Sequence, residues 1–159
     1  MRLPSFLAGL VALVCVVPAV AKDEKISIRG TPASVSPADE ESKKAGILGT
    51  AVGLAMAGWR PVCEMQYESF SYPCLDQLIC HVGRYHWRTN GAMEFPITIR
   101  MPTGGGVKAP ELHEDSPETY YVHTPGIKVA MPSTPSDAKG LLAAAIRSSD
   151  PVVLMEPKV

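Results

Sequence analysis

Apolar and polar residues follow two different rhythms along this chain. Positions 46–57 are apolar with small residues at Gly49, Gly53 and Ala57. These stand four apart, on one face of a helix, where another backbone can approach closely. Positions 61–67 form a short apolar stretch that predicts a strand. Leu75, Leu78, Ile79 and Val82 fall at i, i+3, i+4 and i+7, which predicts an amphipathic helix over about 73–87. Positions 96–100 are short and β-branched, a second strand, and Gly104 to Gly106 form a loop by composition. Ser116 is placed to cap a helix with Pro117 at its first position and acidic Glu118 at its positive end. A third strand is expected over 127–131. Thr134, Pro135 and Asp137 then resemble a capping box for a helix with Ala138, Leu141, Leu142, Ala145 and Ile146 on its apolar face. A buried strand over 151–155 closes the series. This alternation implies an α/β fold, a parallel sheet with helices on both faces. Ligands in such sheets bind at the carboxyl ends of the strands, so positions 66–70 and 101–113 fall on the functional edge.

The first 45 residues differ. Arg2 precedes an apolar run over 6–17, and Ala19, Val20 and Ala21 have the small-x-small form of a signal-peptidase site. Residues 1–21 therefore read as a secretory signal, too short for a comfortable transmembrane span, or as a mis-assigned start. Residues 22–45 are polar and read as a linker, and 46–159 as the domain.

Composition narrows the field further. The chain has 159 residues, enough for one domain with a core. A net charge of −1 argues against nucleic acid as a partner. Cys15, Cys63, Cys74 and Cys80 form no Cys-x-x-Cys pair, and their expected role is that of small buried hydrophobes.

Several short motifs stand in register. They are Gly46-Ile-Leu-Gly-Thr-Ala-Val-Gly53, Arg60-Pro61, Glu64-Met65-Gln66 and Arg100-Met-Pro-Thr-Gly104, followed by His113-Glu-Asp-Ser-Pro-Glu118, His123-Thr-Pro-Gly126, Pro132-Ser-Thr-Pro135 and Asp137-Ala-Lys-Gly140. In this order and spacing the chain resembles the β subunit of thiamine-diphosphate-dependent 2-oxo acid dehydrogenases, in its transketolase-like pyrimidine-binding domain. The resemblance implies a copy truncated at both ends. It implies oxidative decarboxylation of pyruvate or a branched-chain 2-oxo acid, with acyl transfer to lipoyl. The implied cofactor is thiamine diphosphate, shared with an α subunit that brings magnesium. The implied partners are that α subunit, in an α2β2 assembly, and a lipoyl-bearing acyltransferase. The family works in the cytoplasm or mitochondrial matrix, against the secretory reading of the N-terminus.

The resemblance also assigns residues. Gln66 and Phe70 match positions in the aminopyrimidine pocket, and a strand through them would put both on one side. His113 matches the histidine at the substrate end of the cofactor, whereas His123 is expected to be structural and His81 and His86 to pack or face solvent. Ile97, Ala145, Ile146, Ser148 and Asp150 match backbone carbonyls that hold potassium in some members, as a helix end rich in free carbonyls can. The family's proton-bridging acid falls at Lys44. Glu41, about one helical turn earlier, is the candidate substitute. The alternative reading is a non-catalytic remnant, or an exported binding scaffold of the same fold.

Overall fold

The computed structural model describes residues 14–18, 37–109 and 111–158, with side chains from residue 45 onward. Five strands form one sheet: β1 (Val14–Pro18), β2 (Trp59–Glu64), β3 (Thr98–Thr103), β4 (Lys128–Ala130) and β5 (Val152–Pro157). Their order is β1-β2-β3-β5-β4. β2, β3, β5 and β4 are parallel neighbours, and β1 pairs antiparallel with β2, from Val14 opposite Cys63 to Pro18 opposite Trp59. The α/β expectation is met. The proposed cleavage site, Ala19 to Ala21, and positions 22–36 of the linker lie outside the described residues.

The register sorts side chains onto two faces. Cys63, Ile99 and Val153 lie side by side, as do Met101 and Met155, and all are fully buried. Helix α1 (Pro37–Met56) covers this face through Leu48, Ala51, Val52 and Ala55. Removing one such Leu, Ile or Met side chain from water is worth roughly 1.5–3 kcal/mol, more than a typical hydrogen bond, so this apolar face decides where α1 sits. Thr98, Val152, Arg100 and Leu154 alternate onto the other face. Helix α5 (Pro135–Arg147) packs on β5 and buries Ala145. No helix among the described residues is long and apolar enough to cross a membrane.

Several boundaries differ from the sequence reading. The linker assigned to 22–45 is helical from Pro37 onward. The small-residue stripe of α1 does not meet another backbone: Gly49, Gly53 and Ala57 are exposed, and a Cβ on either glycine would touch nothing within 4 Å. β2 ends at Glu64, three residues short of expectation.

The helix expected over 73–87 is broken. A 3-10 stretch (Glu68–Cys74) leads into one α-turn, α2 (Leu75–Gln77), then a π-turn (Leu78–Val82) and α3 (Tyr85–Arg88). The cause lies at Gly83, whose N–H donates to Leu78 O five residues back. Gly83 is pressed against the chain before β4: a Cβ there would stand 2.7 Å from Pro125 O, and one on Gly126 would stand 1.8 Å from Gly83 O. Gly126 also has φ +84, a backbone state that favours glycine.

Helix α4 (Glu118–Val122) starts one residue later than predicted, with Pro117 as N-cap and no side-chain cap, so Ser116 does not cap it. Thr134 does cap α5: its hydroxyl accepts from Asp137 N at 3.1 Å, and Pro135 opens the helix. Cys63 and Cys74 are buried as expected, but Cys80 is half-buried. Burial pushes the Cys63 thiol up to about 12, as for an inert core thiol.

Candidate functional site at the carboxyl edge of the sheet

Three strands deliver chain segments to one place. After β2 come residues 65–74, after β3 the loop to Asp115, and after β5 comes Lys158. The ends are tied together: Gly104 N donates to Asp115 O at 3.0 Å and Lys158 N to Thr103 O at 3.2 Å. His113 is half-buried here. Its ring lies 5.0 Å from that of Tyr67 and 5.5 Å, edge-on, from that of Phe70, and its Nδ1 is 3.1 Å from Glu111 O. Phe70 and His113, expected to share a site, therefore meet.

Gln66 does not join them as predicted. The chain leaves β2 before Gln66 and coils into the 3-10 stretch, so no strand alternation links it to Phe70. Gln66 is exposed, and its Nε2 donates to Glu64 Oε1 at 2.6 Å.

A polar network lies beneath the aromatic layer. Ser69 Oγ and Tyr72 OH donate to Asp115 Oδ2 at 3.0 and 2.6 Å. These two bonds, Tyr72 first, hold the Asp115 carboxyl below the usual carboxylate range. Burial and the Asp115 hydrogen bond push the Tyr72 hydroxyl up. Glu68 is fully buried; its Oε1 accepts from Asp115 N at 2.8 Å and from Lys158 Nζ at 3.2 Å. Ser71 Oγ bonds Glu68 O and the hydroxyl of buried Tyr121. Sequence reasoning missed Tyr67, Glu68, Tyr72, Asp115 and Lys158. The one available signal was a glutamate inside the aromatic stretch 67–72.

Residues 41 and 44 both fall within α1. The helix runs back alongside β2 and touches the 3-10 stretch. Position 44 is twelve residues before Met56, about 18 Å along the axis, close to the length of β2 and so level with the carboxyl edge.

The five positions matched to potassium lie at the opposite edge, just ahead of β3 and β5. Ile146 O and Ser148 O accept from Arg60 Nη1 at 3.1 and 2.9 Å. Ala145 O accepts from Ser148 N, and Ile97 O from Val152 N at 2.9 Å. The Asp150 carboxylate faces Lys128 at 2.9 Å and His86 at 3.7 Å. A carbonyl has two lone pairs, so each oxygen retains one acceptor direction. No cluster of three or more His, Cys, Asp or Glu side chains suited to a metal occurs among the described residues. His81 stacks on Tyr85 at 5.6 Å, and His123 is exposed at the end of α4.

The chain is 49% identical over 120 residues to 3-methyl-2-oxobutanoate dehydrogenase subunit beta of Mycobacterium tuberculosis, covering 76% of this chain and 34% of that protein. It is 49% identical over 118 residues to pyruvate dehydrogenase E1 component subunit beta of Bacillus subtilis, covering 74% and 36%. It is 44% identical over 120 residues to 2-oxoisovalerate dehydrogenase subunit beta of Pseudomonas aeruginosa, covering 76% and 34%. The chain thus spans about a third of the length of these relatives. A solved structure titled "Split gene transketolase, inactive beta4 tetramer" shares the fold, with a TM-score of 0.58 and 14% identity over 72% of this chain and 35% of that one. The profile described as "Transketolase, pyrimidine binding domain" matches residues 45–159, and with that span, more than half of its length, the chain belongs to the transketolase pyrimidine-binding domain family.

Proposed function

We propose that this chain supplies the aminopyrimidine-facing half of a thiamine-diphosphate site in a 2-oxo acid dehydrogenase. The reaction is oxidative decarboxylation of pyruvate or a branched-chain 2-oxo acid, with the acyl group passed to lipoyl. The observation that carries this reading is the meeting of Tyr67, Phe70 and His113 at the carboxyl edge, on a chain 49% and 44% identical to such β subunits. An α subunit brings the diphosphate and magnesium half, and a lipoyl-bearing acyltransferase takes the acyl group.

Bound thiamine diphosphate supplies a nucleophilic carbon and an electron sink. Phe70 offers a flat apolar face, where ring stacking adds roughly 0.5–1.5 kcal/mol beyond area burial. His113 orients the 2-oxo acid. Gln66 offers an amide at the rim. A potassium ion on the spare carbonyl directions beside Arg60 would brace the amino edge, remote from His113.

Lys44 does not fit the role of a proton-bridging carboxylate, because a lysine brings positive charge to that position. Glu41 lies about one turn earlier in α1. This mismatch favours a second reading, a partner-binding domain without turnover. The catalytic reading places the protein in the cytoplasm or mitochondrial matrix, and an exported scaffold goes with the second.

The full chain and its Lys44→Glu variant, each paired with an α-type subunit, test both. Thiamine diphosphate binding is followed by calorimetry and turnover by 2-oxo-acid-dependent acceptor reduction. Both proteins should bind the cofactor, and Lys44→Glu should raise turnover about 100-fold or more, the scale of a well-placed acid–base group. Failure of both to bind would sink the proposal. Binding with no turnover by either protein would leave the non-catalytic reading, and turnover by the parent with no gain from Lys44→Glu would assign the acid to Glu41.

A further inference from the structure

Two charged groups at this edge have no part in that reading. Glu68 is fully buried, and the Lys158 side chain is 6% exposed. Their charges meet at 3.2 and 3.3 Å. A buried ion pair is weak ground for stability, since apolar residues of similar volume often do as well. What distinguishes this pair is what else it holds. Lys158 Nζ also donates to the backbone oxygen of His113, and Glu68 Oε1 accepts from the amide of Asp115 at 2.8 Å. The pair therefore grips the backbone on both sides of Glu114.

We infer that Glu68 and Lys158 are a positioning pair that fixes His113 against Tyr67 and Phe70; its functional meaning rests on the role proposed for His113. The pair bridges the exits of β2 and β5 across the exit of β3, so His113 is placed from both flanking strands. Lys158 Nζ stands 5.2 Å from the Tyr67 ring centroid, and so fixes one of the rings that His113 meets. Ser69 and Tyr72 hold Asp115 by its side chain, whereas the pair holds the main chain, which sets where the His113 side chain starts.

The test is nuclear magnetic resonance of the full chain with labelled histidine, the His113 ring signals being assigned with His113→Asn. The variants are Lys158→Met, Glu68→Gln and the double Glu68→Leu/Lys158→Met. The double variant removes both charges, so no unpaired ion is left to unfold the chain. In each folded variant the His113 ring signals should move as the ring currents of Tyr67 and Phe70 change, with His81, His86 and His123 fixed. Unmoved His113 signals in the double variant would overturn the inference, and so would equal movement of all four histidines. Adding an α-type subunit and thiamine diphosphate separates the two proposals. Movement of His113 without cofactor binding keeps the positioning pair and removes the function proposed above. Cofactor binding with His113 unmoved does the reverse.

Discussion

Asp115 shows how much a single residue can organise. Its carboxylate takes two hydroxyls, its amide meets Glu68 and its carbonyl meets Gly104. Because the folded state holds this carboxyl below its ordinary value of 3.8, the group stabilises the fold above that pH. The contribution is lost as pH falls through the lowered folded value. Tyr72→Phe removes the larger cause of the shift. It should therefore cost stability at pH 7, and the gap to the parent chain should shrink as pH drops below about 3.8. Urea midpoints at pH 7 and pH 3 check this; a gap that is the same at both would refute the assignment. Sequence reading reached His113 and Phe70 through a family motif. It passed over Asp115 and Glu68 because neither spacing nor composition reports that residues 47 apart will share a hydrogen bond.

Elements were legible where the signal is local. The α5 start is written in Thr134, Pro135 and Asp137, and the structure has that cap with Asp137 also accepting from Ser133 Oγ at 2.9 Å. Thr134→Ala should cost about 1 kcal/mol, the usual value of a lost N-cap, and leave α5 otherwise in place. Thermal unfolding of the variant measures it, and a change near zero would mean that water caps the helix as well. The segment expected as one helix over 73–87 failed for the opposite reason. Its apolar spacing is real, and Leu78 and Val82 are buried, but a distant backbone at Pro125 and Gly126 claims the space beside Gly83. Periodicity reports a face to be buried and not what already occupies the ground next to it. The Gln66–Phe70 pairing failed likewise, because no local cue ended β2 at Glu64.

At the scale of the whole molecule the strand order was beyond the sequence, though the alternation of elements carried the fold class. β1 in particular was hidden inside an apolar run that also has the look of a leader. It pairs with β2 over five residues and so covers a row of backbone donors and acceptors. A chain lacking residues 1–18 would bare that edge, a template for pairing with other chains. It should self-associate in a concentration-dependent way by analytical ultracentrifugation, and a monomer at every concentration would show that β2 needs no cover.

The meeting of three strand exits has a consequence for how the protein is made. Glu68 and Lys158 lie 90 residues apart in the chain. On the ribosome Glu68 emerges long before its partner, and through that interval its carboxylate stays in water. Contacts of such separation form late, because the loop between them must be closed first. The half-made domain can bury the β2 and β3 part of its α1 face early, and Ser69, Tyr72 and Gly104 can already hold Asp115. Yet the Lys158 bond to the His113 backbone must wait until β5 has been synthesised and inserted between β3 and β4. Maturation of this edge is thus timed by the translation of β5 and Lys158.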